Sequence, residues 1–137
     1  MSGAAQLRLA LQTLVNECAG SSGAVIDEGN GLWCSVPGSP EGALVADAFY
    51  KDEIAPQAHE MQRGHRLSVH RAGEFGGYVA ESFASLYVVV VWLRGSFDVE
   101  SVRARILRAV PAIEAIVTAM PPFDGPGPSG QALKARA

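Results

Sequence analysis

The chain has 137 residues, an apolar fraction of 48% and a formal net charge of −3, with a pI near 5.5. That length supports one domain with core enough to fold alone, and the apolar fraction excludes global disorder. The mildly acidic balance argues against nucleic acid as the main ligand, because phosphate binding needs a concentrated basic surface.

In chain order, residues 4–18 place Leu7, Leu11, Leu14 and Cys18 on one stripe, with Ala10 beside it. Spacings of four, three and four predict an amphipathic helix that covers one side of a sheet. Gln6, Arg8, Gln12 and Asn16 interrupt any signal-peptide core, so a cytoplasmic location is expected. Gly20 and Gly23 are expected to end the helix. Ala24–Asp27 and Leu32–Val36 are β-prone runs joined by Glu28-Gly29-Asn30-Gly31, a hairpin signal. The oxygen ligands of a calcium loop are missing from that tetrad. Cys18 and Cys34 form no CxxC pair and are expected as buried free thiols.

From Glu41 to about Gln62 the pattern is helical, and it is apolar over a wide arc. Leu44, Val45, Ala48 and Phe49 make one patch; Ala43, Ala46, Tyr50, Ile54, Ala58 and Met61 make a second. A helix that only covers a sheet needs one stripe, so the wide arc fits a helix caught between its own sheet and something else, such as a second subunit, or else a helix well buried inside a monomer. Pro56 lacks an N–H and disfavours helix at Ala55, which predicts a kink or split near 53–55. Arg66–Arg71 alternates polar and apolar residues and reads as a half-exposed edge strand. Phe75–Ser82 is a further strand, in which Gly76-Gly77 predicts a bulge or a close backbone approach.

The run Leu86–Leu93 is unbroken, apolar and rich in valine. It is too short to span a membrane as a helix, so it must be a strand covered on both faces, at the centre of the sheet. Val99, Val102, Ile106, Val110, Ile113, Val117 and Met120 then recur every three or four residues, predicting a long helix. Asp98 is its expected N-cap, Pro111 predicts a kink, and Arg103, Arg105 and Arg108 are expected on its solvated face. Residues 1–121 are read as one domain, and 122–137, rich in proline and glycine, as a disordered tail.

An enzyme needs convergent polar groups. His59, His65 and His70 follow no metal-ligand spacing, no nucleophile-elbow, HExxH or phosphate-loop motif occurs, and a non-catalytic protein without metal or cofactor is expected. An arginine finger among Arg103, Arg105 and Arg108 is weaker than the reading of a solvated surface.

The hairpin GAVIDEGNGLWCSV, the helix GALVADAFYKDEIAPQAHEMQ and the strand SLYVVVVWLRG running into DVESVRARI resemble the roadblock family of dynein-light-chain-like domains, a branch of the longin-like folds. The resemblance implies an α/β sandwich with topology α-β-β-α-β-β-β-α. Its antiparallel sheet of five strands would have order 2-1-5-4-3, with the middle helix on one face and the outer two on the other. It also implies homodimers, or heterodimers with a related roadblock domain, in which third strands pair edge to edge and middle helices pack side by side. The dimer interface would then comprise Ala46, Tyr50, Ile54, Ala58, Met61, Leu67 and Val69. Family members regulate or scaffold small Ras-like GTPases, or serve as adaptors without GTPase contact, and bacterial relatives act in polarity and motility. A profilin- or PAS-like sensor is the alternative, but the central strand offers no polar groups to a pocket. A secretion chaperone would need three strands between the first two helices, where this chain has two.

Overall fold

The computed structural model describes residues 2–27, 31–37, 40–57, 59, 63–84 and 87–120. Its elements are α1 (Gly3–Glu17), β1 (Ser22–Asp27), β2 (Gly31–Val36), α2 (Pro40–Phe49), β3 (Ser68–Arg71), β4 (Gly76–Phe83), β5 (Tyr87–Arg94) and α3 (Val99–Ala119). The five strands form one antiparallel sheet in the order β2-β1-β5-β4-β3. The valine-rich run is β5, and it occupies the centre: Val90 lies opposite Ala24 on one side and Ala80 on the other. Tyr87 through Val91 are all buried.

Side chains alternate across a strand, so β5 feeds two separate cores. Val89, Val91 and Leu93 join Val25 and Val79 beneath α1 and α3, with Leu7, Leu11, Leu14, Ile106, Ile113 and Val117 from the helices. Val88 and Val90 join Ala24, Ile26, Tyr78 and Ala80 beneath the α2 segment. Helices α1 and α3 each carry the stripe their spacing predicts.

Details of α1 and α3 differ from expectation in three places. Helix α1 ends at Glu17, and Ala19, at φ 54°, makes the left-handed turn. Gly23 instead allows close packing, since a side chain there would come within 2.7 Å of Val15 Cγ2. Helix α3 is capped by Asp98, whose carboxylate accepts from Ser101 N at 3.0 Å. It runs on through Pro111, which sits on an exposed side. Arg103 is not on the solvated face; it reaches Glu81 of the sheet. Gly3 lies against Met120, so the start of α1 abuts the end of α3.

The middle helix is the largest departure. It is α-helical only from Pro40 to Phe49, then widens to a π turn over Tyr50–Ile54 and tightens to a 3₁₀ turn over Ala55–Gln57. Ala55 N–H donates to Tyr50 O, five residues back, and Pro56, which has no N–H to donate, sits inside the 3₁₀ turn. The expected split near 53–55 is this change of pitch. The hairpin turn at 28–30, Ala58, Met61 and the 122–137 tail lie outside the described residues.

Gly76 and Gly77 show the expected close approach. Gly76 has φ +116°, and a side chain at Gly77 would collide with the Arg71 carbonyl across the hairpin. Because Ile54 is wholly buried, Ile54→Ala should lower stability by about 2–5 kcal/mol, measured by urea unfolding.

Candidate interaction surface

The short edge strand β3 is held by one carboxylate from each side of the sheet. On the α3 side, Glu81 of β4 is 1% exposed. It accepts a hydrogen bond from Ser68 Oγ on β3 and sits 3.5 Å from Arg103 Nε, whose guanidinium also meets Glu100 at 3.8 Å. A buried carboxylate needs such partners to offset desolvation. Periodicity alone placed Arg103 in solvent; the signal that could have corrected this is Glu81, an acid among the apolar residues of the predicted strand Phe75–Ser82.

On the α2 side, the π turn swings Glu53 onto Tyr78, whose hydroxyl donates to Glu53 Oε1. Arg71 of β3 reaches the same oxygen at 3.6 Å. Phe49 meets Tyr78 and Trp92 edge-on at 4.9 and 5.7 Å, a favourable aromatic geometry. Burial, then the hydrogen bond and charge of Glu53, push the Tyr78 hydroxyl up to about 12.

The residues expected at an interface fall into three groups. Ala46, Ile54 and Leu67 are buried inside the protomer against the sheet, while Tyr50 and Val69 are half-buried at its margin. Ala58 and Met61 lie outside the described residues. The two apolar arcs of the helix have therefore changed places relative to expectation. Phe49 joins Ala46 and Ile54 on the sheet, because there it meets the aromatic rings. Leu44 and Val45 stand 64% and 50% exposed, with Ala48 also in solvent. Phe75, in the β3–β4 turn, is 88% exposed.

His59, His65 and His70 are exposed, and among the described residues no three metal-ligating side chains cluster. Burial raises both thiols, Cys34 to about 11, so neither is a thiolate at neutral pH. No helix among the described residues is long and apolar enough to cross a membrane.

No protein-family model and no curated protein matches the sequence. Solved structures do match the fold. Myxococcus xanthus MglB aligns with 88% of this chain and 95% of its own, at TM-score 0.68 and 14% identity. The gliding protein MglB of Thermus thermophilus aligns with 88% and 94%, at 0.69 and 16%. A Roadblock/LC7 domain from Streptomyces avermitillis aligns with 78% and 97%, at 0.54 and 16%. The chain has the roadblock fold. The sheet order 2-1-5-4-3 with helices on both faces is this fold's arrangement, and it leaves β3 at one edge. A further MglB structure is described as having a tetrameric arrangement.

Both anchors of β3 can be tested by substitution. Arg103→Leu leaves the buried Glu81 carboxylate to the Ser68 hydroxyl and should cost about 1–3 kcal/mol, below the full value for a broken buried pair because Arg103 is partly solvated. Adding Glu81→Leu should recover much of the loss, as read by urea unfolding. The Tyr78 phenol, at about 12 when folded against 10 in the open chain, holds its proton longer in the folded state. Its contribution to stability is whole below pH 10 and lost as pH rises towards 12, and thermal melts of Tyr78→Phe should lack that share of the decline.

Proposed function

We propose that this chain is a non-catalytic, dimeric interaction module that regulates or scaffolds a small Ras-like GTPase. The carrying observation is that the α2 segment is apolar on two sides. One side, with Ala46, Phe49 and Ile54, covers the sheet; the other, with Leu44, Val45 and Ala48, is left in solvent. A contiguous apolar patch left on a helix marks a protein contact. At the edge of the sheet away from β1 and β2, on which α2 packs, strand β3 presents unpaired backbone groups. In this reading the interface consists of the outward face of α2 together with β3, with Tyr50 and Val69 at its margin. Ala46, Ile54 and Leu67 shape it from beneath. The likeness to MglB supports the regulator reading over an adaptor that binds only other roadblock domains.

Burying one leucine is worth about 1.5–3 kcal/mol, and a carboxylate in its place adds a desolvation cost. The double variant Leu44→Asp, Val45→Asp should therefore weaken the dimer at least roughly tenfold while keeping its circular dichroism spectrum. Light scattering at micromolar concentration reads the change, and an unchanged dimer would remove α2 from the interface. Affinity capture from the source cells with GDP or a non-hydrolysable GTP analogue tests the partner. A Ras-like GTPase whose recovery depends on the nucleotide supports the regulator; other roadblock domains without a GTPase point to the adaptor.

A further inference from the structure

We propose that residues 121–124 fold back along α3, that Phe123 fills the cleft between α3 and the chain entering β3, and that Asp124 pairs there with Arg66. The proposal stands apart from the dimer and GTPase readings, because α3 and this cleft lie on the face of the sheet away from α2.

The cleft has a volume of about 380 Å³ and opens where β4 ends. Phe83 of the sheet and Leu107, Val110 and Pro111 of α3 give it apolar walls. Two formal charges line it as well: Arg66 on the side of β3, and Glu114 on the side of α3. Leu107 and Val110 are half-buried and Pro111 is exposed, although all three are apolar. Arg66 and Glu114 make no ion pair among the described residues. Binding clefts span about 300–1,000 Å³ and combine apolar walls with a few polar groups that fix orientation. This one suits a single bulky apolar side chain with one carboxylate beside it.

The chain itself supplies that pair. Past Met120 it reads Pro121-Pro122-Phe123-Asp124. Met120 has extended backbone, φ −83° and ψ 153°, so the chain leaves the helical path there. Glu114 lies six residues earlier, about 9 Å along the helix axis. Three extended residues span about 10 Å, which brings Phe123 level with Glu114 and its ring towards Val110 and Pro111. The two prolines keep the connection extended and reduce the entropy lost on docking.

Charge fixes the orientation. Pro121 and Pro122 have no N–H, so the first donor past Met120 is the N–H of Phe123. The Glu114 carboxylate, which only accepts, suits that donor. Asp124, one residue further on, then faces Arg66 across the cleft. Leu133 is the other bulky apolar residue of 121–137, with Lys134 and Arg136 beside it. Lys134 has Glu114 to meet, but Arg136 is then left facing Arg66, and the longer loop costs more entropy to close. Phe123 is the better occupant. With it in place, residues 121–124 compete with any outside ligand for this cleft.

Methyl-resolved NMR of the full chain tests the docking. Nuclear Overhauser contacts are expected from the Phe123 ring to the methyl groups of Leu107 and Val110. Phe123→Ala should shift those methyl resonances and leave Val88 and Val90, on the α2 side of the sheet, unmoved. Asp124→Arg should move them part of the way to their Phe123→Ala positions, and adding Arg66→Glu should return them. Dilution should change none of these signals. Leu107 and Val110 methyls that do not respond to Phe123→Ala would overturn the proposal. Contacts from Leu133 in place of Phe123 would overturn the choice of segment. Contacts that fade on dilution would show that a second copy fills the cleft, and would overturn folding back within one chain. An Arg66→Glu variant that fails to rescue Asp124→Arg would overturn the pairing of Asp124 with Arg66.

Discussion

A strand whose residues are buried on both faces has no side to show to water, and β5 is such a strand. Its burial demands a layer above and a layer below, and those layers are the α1–α3 pair and the α2 segment. It also demands neighbours on both edges, which puts β1 and β4 beside it. The remaining strands, β2 and β3, are outermost for the same reason. The apolar surface is dense at the middle of the sheet and thin at its β3 edge.

That gradient explains why β3 is held by polar contacts. Three of its four residues are exposed, so hydrophobic burial contributes little to its place. Glu81 with Ser68 and Arg103, and Glu53 with Tyr78 and Arg71, fix it from opposite sides of the sheet. Ion pairs add little net stability here, but the buried Glu81 penalises any other arrangement, because a shifted strand takes Ser68 away from its carboxylate. A recognition edge has to be positioned well without being buried, and directional contacts do that.

Much of this architecture was legible in the sequence. The period of α1 and α3, the Asp98 cap and the unbroken apolar β5 depend on near neighbours in the chain, and each appears where its pattern placed it. What was not legible depends on non-local fit. The arc of the middle helix that would face the sheet could not be read from spacing. Phe49 was drawn inward by Tyr78 and Trp92, which lie 29 and 43 positions further on, and the π turn altered the helical phase before Ile54. Arg103 looked like surface because its acid partner sits on a different element. For the middle helix, spacing marked the element as apolar on two sides but not which of its side chains would stay in solvent.

The contact between Gly3 and Met120 has a topological consequence. The path of the chain through the fold is nearly a closed ring, shut on the α1–α3 layer. A short peptide joining those ends would close it, and the backbone could then be opened at a surface loop elsewhere, since adjacent ends are the condition for circular permutation. The backbone enters α1 and leaves α3 at the same spot, on the side of the sheet away from α2. The fold can be tethered there without obstructing the helix face opposite.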